Sequence, residues 1–246
     1  MNRSEINRRI DDALGFFERY GTRLPPWARW TPEQWAAAGP EADEIRRNRL
    51  GWDLTDFGSG SFELLGLLLF TIRNGRIEQG RPVSAKTYAE KAMIALPGQL
   101  TPWHFHWSKT EDIINRGGGR LVVEVGWATP DEKAISPEPI TVQVDGIDRT
   151  VPARGQVFLE PGESITLLPK MYHAFFADPL GEAVLIGEVS TVNDDTTDNC
   201  FLEPLGRFPT IEADEPARYW LCFEYPAAPG AGTGAGAGAA TAGNSL

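Results

Sequence analysis

The stretch from Gly98 to Gly118, reading GQLTPWHFHWSKTEDIINRGG, carries two histidines and a glutamate at a spacing that suits a metal ion. They are His104, His106 and Glu111. The whole chain has three histidines, and the third, His173, lies in PKMYHAFF. If 103–107 is extended, alternate side chains share a face, so His104 and His106 project together and Phe105 projects away. A turn at Ser108-Lys109-Thr110 brings Glu111 back beside them, and His173 completes the set from a neighbouring strand. Imidazoles with a carboxylate are a common donor set for divalent transition ions. Histidine used only at these positions points to a role rather than background composition.

The pattern Gly98, five residues, His104-x-His106, four residues, Glu111, six residues, Gly118 matches the first cupin motif in full. The second motif is matched in part: Gly162, Pro169 and His173 stand in its order, but Met171 sits where glycine is usual and Ala177 replaces the usual asparagine. More closely, EKAMIALPGQLTPWHFHWSKTEDIINRGGG resembles the D-lyxose isomerase family, which is a cupin, and the resemblance extends to about Pro226. It implies a mainly β, cupin-type (jelly-roll-like) barrel with an added N-terminal helical segment. It also implies a Mn²⁺-dependent aldose–ketose isomerase acting on D-lyxose and D-xylulose, and on D-mannose and D-fructose. Donor chemistry alone leaves Co²⁺, Fe²⁺, Ni²⁺ and Zn²⁺ open. Cupins often dimerise through sheet edges or exchanged N-terminal segments, and a homodimer, for which the Trp-rich N-terminus could serve, is expected by analogy.

Four protein donors leave two positions of an octahedral ion for neighbouring sugar oxygens. Isomerisation then needs a Lewis acid to hold an enediolate and a base to move a proton between C1 and C2. The resemblance points to Glu203, in CFLEPLGRF, as an active-site carboxylate. Lys109 is a second catalytic candidate because it lies between two ligands. Lys91, on the strand before the metal strand, and Asp214 and Arg218 are candidates for sugar contacts. The same ligands also suit an Fe²⁺ dioxygenase or a non-catalytic sugar-binding cupin.

The elements that must position these residues are legible in outline. Ile6, Ile10, Leu14 and Phe17 recur at helical spacing over 4–20, with Gly21 as the stop. Thr31-Pro32-Glu33-Gln34 is a helix start with a capping box. Trp27, Trp30, Trp35 and Trp52 crowd this region and suit anchoring on the barrel better than sugar stacking. Strands are expected over 62–73, 87–96, 121–127, 141–151 (a hairpin turning at Asp145-Gly146), 156–159, 164–168, 173–176 and 183–190. Residues 115–119 (NRGGG) read as a tight turn. The expected division is a helical segment 1–57, a barrel 58–226 and a disordered Gly/Ala-rich tail 227–246.

Composition fits a soluble globular protein: 246 residues, 41% hydrophobic and 23% charged. A net charge of −11 without a basic cluster argues against nucleic acid. The polar first twenty residues argue against a secretory signal, and the apolar run 61–72 is too short to span a bilayer. Cys200 and Cys222 lack metal or redox spacing and read as reduced thiols in a cytoplasmic protein.

Overall fold

A computed structural model describes residues 1–79, 81–206 and 209–228. Helices open the chain: α1 (Arg3–Arg19), α2 (Pro32–Ala37) and α3 (Asp43–Arg47). Strands β1 (Gly51–Thr55) and β2 (Leu67–Arg73) come next, then a two-residue pair, β3 (Ile77–Glu78) and β4 (Arg81–Pro82). β5 (Tyr88–Ala95), β6 (Thr101–Phe105), β7 (Glu111–Gly118) and β8 (Leu121–Trp127) precede the hairpin of β9 (Ile140–Val144) and β10 (Ile147–Val151). β11 (Gly155–Leu159), β12 (Ser164–Leu167), β13 (Met171–Ala177), β14 (Val184–Thr191) and β15 (Cys200–Phe201) follow.

The strands form two main sheets. One has the order β1-β2-β5-β14-β7-β12-β9-β10 and the other β11-β8-β13-β6-β15, with antiparallel neighbours throughout. The core lies between them. Met93, Ile113, Val142, Ile165 and Ile186 from the first sheet meet Val123, Val125, Leu159, Met171 and Phe175 from the second. This is the mainly β, cupin-type barrel expected from the sequence. No helix among the described residues is long and apolar enough to cross a membrane.

Strand alternation decides what β5 gives to each side. Met93 and Ala95 point into the barrel, whereas Ala92 and Ile94 point outward and pack beneath α1 with Ile6, Ile10, Leu14 and Phe17. Gly21 ends the helix at φ +71°, a left-handed conformation that glycine adopts without a Cβ penalty. Ile10 is completely buried in this second core. Ile10→Ala is expected to destabilise the fold by about 2–5 kcal/mol in a denaturant titration.

The capping box of α2 is present in both halves, Thr31 with the Gln34 amide and the Gln34 side chain with the Thr31 amide. The tryptophans are anchors: Trp27, Trp30 and Trp35 pack with Trp220 and Tyr225, and Trp35 stacks on Tyr225 at 4.0 Å. Asp145 and Gly146 turn the β9–β10 hairpin with φ +51° and +78°, the signature of a primed turn.

Three expectations need correction. The expected helical segment contains β1, which pairs with β2 at the edge of the larger sheet. Residues 62–64 are a turn rather than the start of β2. The NRGGG stretch is largely strand: β7 runs to Gly118, with a register shift against β14 between Leu185 and Ile186. Its glycines serve close approach, since a Cβ on Gly118 would collide with the Ala183 carbonyl oxygen. From residue 229 the expected tail falls outside the described residues.

Candidate metal centre

β6 presents His104 inward, and His106 follows on the same face just past the strand end. β13 lies antiparallel to β6 with His173 directly opposite His104. Glu111 is the first residue of β7 in the other sheet. The four side chains are buried, and one donor atom from each falls within 4.8 Å of all the others.

Each imidazole is oriented through Nδ1. His104 Nδ1 lies 2.7 Å from the Pro102 carbonyl oxygen and His173 Nδ1 lies 3.0 Å from that of Met171. His106 Nδ1 lies 2.5 Å from the carbonyl oxygen of Asp198. A carbonyl can only accept, so each Nδ1 carries a proton, and Nε2 is the ring atom left to ligate. The Nε2 atoms of His106 and His173 are buried without a hydrogen-bond partner. Glu111 Oε1 is 3.5 Å from the former and 3.0 Å from the latter, close but not aligned for a hydrogen bond. Buried lone pairs converging with a carboxylate fit a divalent cation and leave the donors uncompensated otherwise.

Protonation favours the ligand forms. Burial, reinforced by the neighbouring His173 and His106, pushes His104 well below the ordinary imidazole range. Burial acts to raise Glu111, but the Lys109 ammonium and the contacts with His106 and His173 outweigh it and hold the carboxyl well below its usual range. A neutral imidazole and an ionised carboxylate are what a cation needs.

Beside the ligands lies a buried charged cluster. Lys109 Nζ is 2.5 Å from Glu111 Oε2, 3.2 Å from Glu188 Oε1 and 3.2 Å from Asn193 Oδ1. Lys91 Nζ is 3.1 Å from Glu188 Oε1 and 2.9 Å from Asn193 Oδ1. Burial acts to lower Lys109, yet the charges of Glu111 and Glu188 prevail and raise it above the ordinary lysine range. Both carboxylates thus favour the ammonium form of Lys109. Three of the ligands (His104, His106 and Glu111), both lysines and Glu188 line one small cavity, about 40 Å³, walled also by Phe57, Leu69, Met93, Phe175 and Phe201.

A family profile described as D-lyxose isomerase matches residues 1–225. The chain belongs to the D-lyxose isomerase family. It is 47% identical over 226 residues to a D-lyxose/D-mannose isomerase of Escherichia coli O157:H7, covering 92% of this chain and 98% of that protein. A D-lyxose/D-mannose isomerase of Serratia proteamaculans is 46% identical with the same coverage. The fold is similar to a crystal structure of Cellulomonas parahominis L-ribose isomerase with L-ribose, at 19% identity and TM-score 0.55 over 86% of this chain and 98% of that one. Membership makes the protein a sugar isomerase.

The other residues expected in this D-lyxose isomerase family member's site are placed differently. Glu203 is exposed just beyond β15, whose Phe201 pairs with His104, and it does not line the cavity. Asp214 accepts hydrogen bonds from the Ser4 amide at 2.9 Å and the Ser4 hydroxyl at 2.5 Å. Arg218 pairs with Asp11. Both are thus engaged with α1, because 212–219 returns along that helix, and neither lines the cavity. Sequence reasoning missed Glu188, Asn193 and Asp198. Glu188 did leave a signal: it shares the inward parity of Val184 and Ile186 on β14, so its charge falls on a core-facing position.

Proposed function

We propose that the protein interconverts D-lyxose with D-xylulose, and D-mannose with D-fructose, using a divalent ion held by His104, His106, Glu111 and His173. The observation that carries this reading is a converging ligand set that shares its cavity with a carboxylate, Glu188, lying outside that set. When bound, the ion supplies Lewis-acid polarisation of the sugar carbonyl and charge for the oxygens that become anionic. Mn²⁺ is the proposed ion, since it accepts mixed nitrogen and oxygen donors.

The chain's own residues divide the remaining work. Glu188 is the base that moves the proton between C1 and C2, in place of the exposed Glu203. Lys109 and Lys91 are fixed positive charges that orient Glu188 and donate to sugar oxygens. Phe57, Phe175 and Phe201 exclude water, which strengthens each polar contact inside. D-lyxose and D-mannose share their configuration at C2 to C4 and differ by a terminal carbon, so one set of contacts serves both. Cys200 and Cys222 form no disulfide, which suits a reducing, cytoplasmic setting. The assembly proposed is a homodimer through the N-terminal segment.

The test is ketose formation from D-lyxose, D-mannose and D-xylose by chelator-stripped protein, with Mn²⁺, Co²⁺ or Fe²⁺ restored separately under nitrogen. Ion-dependent turnover of the first two, with D-xylose slower, is expected. No ketose from any combination rejects the proposal, and oxygen uptake with Fe²⁺ would replace it with dioxygenase chemistry.

A further inference from the structure

The three histidines are not held alike. His104 and His173 each donate to a carbonyl two residues earlier in their own strands. His106 donates instead to Asp198, 92 residues away, on the connection between β14 and β15. The same Asp198 grips the turn after His106 with its carboxylate. Oδ1 accepts from the Ser108 amide and Oδ2 from the Ser108 hydroxyl and the Lys109 amide, all at 2.9 Å.

The connection, residues 192–199, also covers the cavity. Asn193 Oδ1 receives both buried ammonium groups, and Asp195 and Asn199 line the cavity wall. Its near end is pinned by Asn74, whose side chain bonds the backbone of Asn193 in both directions. Its far end is pinned by Asp198. The cavity beneath has a volume of about 40 Å³, small beside a monosaccharide. Movement of this strap would enlarge it and would carry along the Asp198 carbonyl that orients His106, while the Asp198 carboxylate holds the turn after that histidine.

We propose that Asp198 is a positioning residue that couples the strap to the metal centre: with the strap closed, His106 is held in its ligating orientation, and with Asp198 released it is not. The proposal rests on the metal reading of the site and not on the identity of the sugar. Partners that orient a ligating histidine are commonly worth about 10–100-fold in ion affinity.

The test uses long-range ¹H–¹⁵N spectra of the ion-free protein, in which three histidines give three imidazole patterns. All three are expected as the Nδ1–H tautomer. In Asp198→Ala, His106 alone is expected to become a tautomer mixture, with Mn²⁺ affinity in a chelator competition falling about 10–100-fold. Asp198→Asn, which keeps one acceptor oxygen, falls between. Mn²⁺ is also expected to slow amide exchange over 194–199 in the wild-type protein. An unchanged His106 pattern with unchanged affinity overturns the proposal, as does strap exchange that ignores the ion. If Asp198→Ala alters all three imidazoles, the chain has unfolded, and Asp198→Asn is judged by the same criteria. The tautomers are read without ion or sugar, so failure of the isomerase reading leaves this outcome separately visible.

Discussion

His104→Ala is expected to yield a folded protein with strongly weakened divalent-ion binding and little isomerisation left. The ring supplies one of three imidazole donors and lies at the centre of the set, with its centroid 4.2 Å from that of His173 and 5.2 Å from that of His106. Its neutral state means that an ion displaces no proton from it. Truncation leaves His106, His173 and Glu111, a three-donor set that binds the ion more weakly and opens another position on it to water. A Lewis acid supplies several kcal/mol to such a reaction, so the loss in kcat/KM is about 10³-fold or more. Metal analysis of the purified variant, paired with the lyxose assay, checks both halves. A metal-free His104→Ala protein with wild-type turnover would remove the ion from the chemistry altogether.

Glu188→Gln separates chemistry from ion binding. Glu188 contributes no atom to the ligand set, so Mn²⁺ affinity stays within a few-fold of wild type. Turnover falls by about 10²–10⁴-fold, the range for loss of a positioned general base. The variant keeps the shape of the side chain but strips two ammonium groups of their shared anion. Part of the loss would therefore come from reoriented lysines, and Lys91→Met measures that part. Glu203→Gln, at an exposed position, is expected to stay near wild-type turnover. If the two glutamates exchange these behaviours in single-turnover assays, the base lies at the strand end and the cavity carboxylate is structural.

What the sequence made legible depends on local geometry. His104 and His106 could be placed on one face because strand alternation needs only neighbouring residues. The Thr31–Gln34 capping box and the Asp145-Gly146 turn are equally local, and each is where the spacing puts it. Lys91 followed from the alternation of β5, which sends it inward with Met93. Illegible were contacts set by distant pairing. Glu188 meets Lys91 only because β14 pairs with β5 in one register, and Asp198 meets His106 only because the β14–β15 connection returns beside the end of β6. Asp214 and Arg218 were candidates for sugar contacts. Their partners, Ser4 and Asp11, lie at the opposite end of the chain.

The donors are also divided between the two sheets. His104 and His173 belong to the five-stranded sheet and Glu111 to the eight-stranded one. An ion bound there fastens one wall of the barrel to the other. That grip requires both walls to be closed, so a transition state with the sheets still apart gains nothing from it. Such an ion would act on the lifetime of the native state by slowing unfolding, and would leave the speed of assembly largely unchanged.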